Sequence, residues 1–118
     1  MSLVARYLEA NGMPTVIIGS ARDIVENCAV ARFLFVDFPL GNPCGKPWDS
    51  AMQRRIVTQG LSLFDAVQAP MTTIISPEQW GSDTWKVRYM EVNDANRAEL
   101  ARKGEALRAR RAQRQPRD

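Results

Sequence analysis

At 118 residues, with 45% hydrophobic, 25% charged and 8% aromatic side chains, the chain has the size and composition of one globular domain that can bury a core without staples. It has no histidine and only two cysteines, Cys28 and Cys44, which excludes Ser-His and Cys-His nucleophile pairs, a disulfide framework and a zinc quartet, and points to a reduced, cytoplasmic setting. The net charge of +3 is unevenly spread: Ala101 to Asp118 holds seven basic residues against Glu105 and Asp118, leaving nine basic and eleven acidic residues before it, so the body is no basic nucleic-acid platform.

Leu3, Val4, Tyr7 and Leu8 share one helical face, and Asn11-Gly12 followed by Pro14 supplies a C-terminal stop. Thr15 to Ile18 reads as a short strand buried on both faces, ended by Gly19-Ser20. Ser20 is placed to cap a helix over Ala21 to Cys28, with Asp23 near its positive end. Phe33 to Val36 is a second buried strand, ending at Asp37. From Phe38 to Trp48, three prolines and two glycines in eleven residues exclude helix and central strand. Asp49 or Ser50 then caps a helix to about Gln68, with Met52, Ile56, Leu63, Phe64 and Val67 as its core stripe. Met71 to Ile75 reads as a third buried strand closed by Ser76-Pro77.

The alternation Trp85, Val87, Tyr89 against Lys86 and Arg88 predicts a half-exposed strand within Thr84–Val92, at a sheet edge or donated to a partner. A polar helix follows from Asn93-Asp94, with Leu100 and Leu107 as its sparse apolar points. The expected organisation is an α/β domain over residues 1–92 and a polar helix with basic tail over 93–118. Alternating helix and strand predicts a mainly parallel sheet in a Rossmann-like three-layer domain. Because the chain opens directly in a helix, the domain reads as lacking its first strand. No apolar run approaches the ~20 residues of a membrane span.

Ligands in open parallel sheets bind beyond the carboxyl ends of the strands. The Pro/Gly loop belongs at that edge, as does Ser20. Gly41 and Gly45 permit close backbone approach, Asn42 and Lys46 offer polar contacts, and Cys44 beside Lys46 is the candidate catalytic thiol. Arg54, with Arg55, begins the long helix where a carboxylate could be bound. The Arg-rich tail has the charge to meet nucleic acid but no aromatic interleaving and no base-reading motif. A flexible, solubilising tail is therefore the expectation, and a nucleic-acid partner only the third reading.

Three segments together resemble one family. Leu3-Val4-Ala5-Arg6-Tyr7-Leu8-Glu9-Ala10-Asn11-Gly12-Met13-Pro14-Thr15-Val16 is similar to the helix-to-strand unit that follows the active-site cysteine or selenocysteine in the B components of glycine, sarcosine, betaine and D-proline reductases. The Phe38-Pro39-Leu40-Gly41-Asn42-Pro43 loop, Arg54-Arg55-Ile56-Val57 and the helix running to Ala66 and Pro70 resemble the family's later block. The likeness covers about residues 3 to 80 and implies a reductase subunit or fragment acting at the amino-bearing carbon of an amino-acid-like substrate, with no cofactor or metal of its own. The family's nucleophile would lie just before Met1, outside this chain. Ser20, Gly41, Asn42, Gly45, Lys46 and Arg54 would then line the substrate side. The alternative is a non-catalytic oligomerisation or accessory module that meets a protein partner or a second copy through an exposed sheet edge and the C-terminal helix.

Overall fold

Asn11 and Gly12 stop the first helix where the sequence places the stop. In the computed structural model, which describes residues 1–88 and 91–113, α1 spans Ser2–Ala10. Gly12 takes φ +79°, and the amides of Gly12 and Met13 return to the carbonyls of Glu9 and Leu8. Glycine adopts that left-handed conformation without steric cost, which is why the chain can turn here.

Beyond α1 come β1 (Ile17–Gly19), α2 (Arg22–Asn27), β2 (Arg32–Phe35), α3 (Ser50–Ala66) and β3 (Thr72–Ile75). The strands form one parallel sheet in the order β1-β2-β3. Ile17 pairs with Phe33, Gly19 with Phe35, Arg32 with Thr72 and Phe35 with Ile75. As the central strand, β2 is covered on both sides, and Phe33 and Leu34 are its most deeply buried residues. Side chains alternate across a strand, so these neighbours face opposite layers. Phe33 packs with Val25 and Val30 beneath α2, while Leu34 and Val36 pack with Ile56, Leu63 and Val67 of the α3 layer. The result is three layers, helix–sheet–helix. Because the strand order steps one way while the crossovers use opposite faces, the two crossovers have opposite hands, and one departs from the right-handed rule.

The Asp49 carboxylate accepts a hydrogen bond from the Met52 amide at 2.9 Å and so caps α3. Four buried points on α3 (Met52, Ile56, Gly60 and Leu63) recur at helical spacing and face the sheet. Each fully buried aliphatic or aromatic side chain here contributes roughly 1.5–3 kcal/mol. Gly60 sets the closest approach: a Cβ there would lie 2.8 Å from Ile18 Cδ1. At the amino edge of the sheet, Glu9 ties three segments together. Its Oε1 accepts from the Thr15 amide (2.5 Å), the Thr15 hydroxyl (2.9 Å) and Arg32 (2.9 Å), while the Arg32 guanidinium lies 5.8 Å from the Phe64 ring centroid.

Four expectations need correction. Ser20 does not cap α2: the N-cap is Ala21, with no side-chain hydrogen bond, and the Ser20 hydroxyl is buried without a partner. β1 is not a strand buried on both faces: it lies at one edge of the sheet, and Ile17, Ile18 and Gly19 are half-buried. β3 is not buried on both faces either: it is an edge strand with Ile75 59% exposed. Thr84–Arg88 is a helical turn, α4, not a strand. Ser82-Asp83-Thr84 is a helix-start sequence, the Lys86 amide donates to the Asp83 carbonyl, and Lys86 pairs with Asp83 one turn back. Five alternating residues do not outweigh those local bonds. The Tyr89 part of that expectation lies outside the described residues.

The chain divides into two compact units, Met1–Lys86 and a second beginning at Val87. In the second, α5 runs from Arg97 to Gln113, preceded by a turn in which the Asn93 and Asn96 side chains each accept from the other's amide. Among the described residues no helix is long and apolar enough to cross a membrane.

Candidate functional site

With all three strands parallel, their carboxyl ends share one edge. Ser20 follows β1, Asp37 and the Phe38–Asp49 loop follow β2, and Ser76 follows β3. The Val36 amide donates to the Gly19 carbonyl and the Ser76 amide to the Phe35 carbonyl, so Ser20 and Ser76 flank the start of the loop. Ser76 is buried, and its hydroxyl donates to Gln59 Oε1 at 2.7 Å.

The loop is a chain of tight turns. The Asn42 amide donates to Pro39, the Gly45 amide to Asn42, and the Asp49 amide to the Lys46 carbonyl, which also accepts from Gln53 Nε2 at 2.8 Å. Gly45 is the anchor. At φ +108° it is buried against α3, and a Cβ would meet Met52 Cγ at 3.1 Å and Ile56 Cδ1 at 3.3 Å. Gly41, at φ +94° with open space around it, only turns the tip. Asn42 is half-buried and Cys44 is exposed.

Lys46 leaves the loop toward a second segment. Its Nζ lies 5.7 Å from the Trp80 ring centroid, and a Cβ on Gly81 would come within 3.2 Å of it. Trp80 in turn packs on Phe38, ring centroids 5.3 Å apart. Thus the residues after β3 close over the loop and frame a cavity of about 220 Å³ lined by Asp37, Glu78, Trp80, Gly81, Asp83 and Lys86. Ion pairs fix its rim. Arg55 makes a bidentate pair with Glu78 at 2.7 and 2.9 Å, and Lys86 bridges Asp37 (2.5 Å) and Asp83 (3.2 Å). The hydrogen bond from Arg55 holds the Glu78 carboxyl below its usual range, and Asp37 followed by Asp83 raises the Lys86 ammonium.

Gly41, Asn42, Cys44, Gly45 and Lys46 therefore share one ordered loop, with Ser20 on the adjacent strand end. Arg54 is exposed on α3, and its neighbour Arg55 makes the structural pair. Sequence reasoning missed Glu78, Trp80, Asp83 and Lys86, all beyond the last strand, with Asp83 and Lys86 following the positive-φ Gly81. The Trp-Gly pair was the available signal. Trp48, 100% exposed at φ +66°, stands just before the α3 cap. Among the described residues no group of carboxylates and thiols could hold a metal ion. Compared with protein-family models, curated proteins and solved structures, the chain matches none.

Proposed function

We propose that the chain is a subunit or domain of a reductase resembling the glycine and D-proline reductase B components, binding the carboxylate side of a small amino-acid-like substrate while a cysteine or selenocysteine outside this chain attacks the amino-bearing carbon. The observation that carries the reading is the shared edge: a glycine-anchored loop with its polar groups at the carboxyl ends of a parallel sheet, next to the strand end that Ser20 follows. Asn42 would donate to the carboxylate and Lys46 would balance its charge. Cys44, exposed on the same loop, is the weaker catalytic candidate. In this reading the domain is Rossmann-like in its layering and its ligand edge, while the opposite hands of its crossovers set it apart from the usual doubly wound form. Calorimetric titration of glycine, sarcosine, betaine and D-proline into the full chain tests it. Millimolar binding weakened severalfold by Lys46→Gln is expected; no binding by any of the four contradicts it.

A second reading, a non-catalytic oligomerisation module, is favoured by the uncovered side of α1. Leu3, Val4 and Tyr7 stand exposed there, and the outer edge of β1 is unpaired among the described residues. Light scattering on the chain and on Tyr7→Lys decides it: an assembly that the substitution dissolves supports the reading, and a monomer in both removes it.

A further inference from the structure

The second unit carries an unusual arrangement of charge. Of the basic residues on α5, Arg97 pairs with Asp94 at 3.7 Å and Lys103 with Glu99 at 2.5 Å. Arg102, Arg108, Arg110 and Arg111 are exposed and have no ion pair among the described residues. At 3.6 residues per turn, Arg102, Arg110 and Arg111 lie about 120°, 200° and 300° around the axis from Arg108, so the four guanidinium groups point to all sides within about 14 Å of helix.

That distribution selects the shape of the partner. A flat anionic surface meets one side of a helix and would leave at least two of these arginines in water. A bilayer requires an apolar side, and the large apolar residues on α5 are Leu100 and Leu107, 42% and 50% exposed. A groove with anionic walls meets a helix on opposite sides at once. The major groove of B-form DNA is about 12 Å wide, matching the 10–12 Å diameter of a helix with its side chains, and phosphates line both walls. Arginine suits those walls, because its planar fork donates to phosphate oxygens in pairs. Aromatic interleaving, whose absence set nucleic acid aside in the sequence, is needed to stack unpaired bases but not to contact duplex phosphates.

We propose that α5 is a sequence-independent, duplex-DNA-binding helix that enters the major groove and contacts phosphates on both walls through Arg102, Arg108, Arg110 and Arg111. The contacts would also relieve the repulsion between Arg108 and Arg111, which stand one turn apart.

Fluorescence anisotropy of the full chain with a labelled, mixed-sequence DNA duplex tests the proposal. Four phosphate contacts predict a slope of log affinity against log salt at least as steep as about −3.6, or an affinity loss of about 150-fold for a fourfold rise in salt. Arg→Gln at each of the four positions is expected to make the slope shallower by about 0.9, by similar amounts at all four. Glutamine is a good helix former, and unchanged circular dichroism shows that the fold is retained. The proposal is overturned if only one or two of the four matter, as on a flat acidic protein or an anionic vesicle. It is equally overturned if poly-glutamate or phosphatidylserine vesicles bind and the duplex does not. An A-form RNA duplex bound as tightly as DNA would also overturn it, because the deep, narrow groove of RNA does not admit a helix.

Discussion

Replacing Gly45 with alanine is expected to cost about 2–4 kcal/mol, in two separable parts. The first is backbone strain: at φ +108° an L-residue lies beyond the small left-handed region, at about 1–2 kcal/mol. The second is packing. The new methyl would meet Met52 Cγ at 3.1 Å, Met52 Sδ at 3.2 Å and Ile56 Cδ1 at 3.3 Å, and both side chains are buried in the α3 layer. Overfilling a well-packed core costs about 1–3 kcal/mol, with the lower end favoured here because methionine is adaptable. Gly41→Ala is the internal control. Its φ of +94° carries similar strain, but no atom lies within 4 Å of the added methyl, so only the first part applies. Urea denaturation reads both. With a slope of about 1.5 kcal/mol per M, a 3 kcal/mol loss lowers the midpoint by about 2 M at unchanged slope. If Gly45→Ala and Gly41→Ala shift the midpoint equally, the loop is not anchored on α3 as described. A change at Gly45 below about 0.5 kcal/mol, within the range of ordinary surface substitutions, would remove both parts of the reasoning.

Ile56→Ala empties a fully buried position and is expected to cost about 3–4 kcal/mol in the same assay. Trp48→Gly should instead be neutral or stabilising by up to about 1 kcal/mol, since the residue has a positive φ and buries nothing; a loss above 1 kcal/mol contradicts this. Burial would raise the Glu9 carboxyl, but the hydrogen bonds from Thr15 and the charge and hydrogen bond of Arg32 outweigh it and hold the group below its ordinary value of 4.5. The stabilisation is therefore present above that value and lost as pH falls through the folded-state value. Thermal melts should show the gap between wild type and Glu9→Gln closing below about pH 4.5, and a constant gap would refute the link. Deleting the residues after Arg102 should leave the melting of the Met1–Lys86 unit unchanged, as followed by near-ultraviolet circular dichroism of its tryptophans.

The parts of the fold that were legible in the sequence are those where a local rule and the tertiary structure agree. Asn11-Gly12, the Asp49 cap, the Met52-Ile56-Leu63 spacing and the apolar run at Phe33 each specify their element without help from distant residues. The places where the sequence misled depend on what covers an element. Met71 to Ile75 has the composition of a buried strand, yet β3 is at an edge, and apolar content cannot reveal how many neighbours a strand has. Thr15 to Ile18 misleads in the same way, since β1 is the opposite edge strand and is only half-buried. Trp85 and Val87 alternate like a strand, while Lys86 is held by Asp37, a partner 49 positions away that periodicity does not see. For the site, prolines and glycines located the loop at Pro39 to Trp48, because irregular backbone is written in residue types. The far rim, formed by Glu78, Trp80 and Lys86, arises from the turn after β3 and had no spacing rule to announce it.

The measurement that tests the central claim most directly is an amide-resolved NMR titration of the full, isotope-labelled chain with glycine and with D-proline. Saturable shifts are expected at Ser20, Gly41, Asn42, Gly45 and Lys46, at the carboxyl edge of the sheet, and none around Thr15 and Arg32 at the opposite edge. Shifts centred on that opposite edge, or no shifts at millimolar ligand, would contradict it.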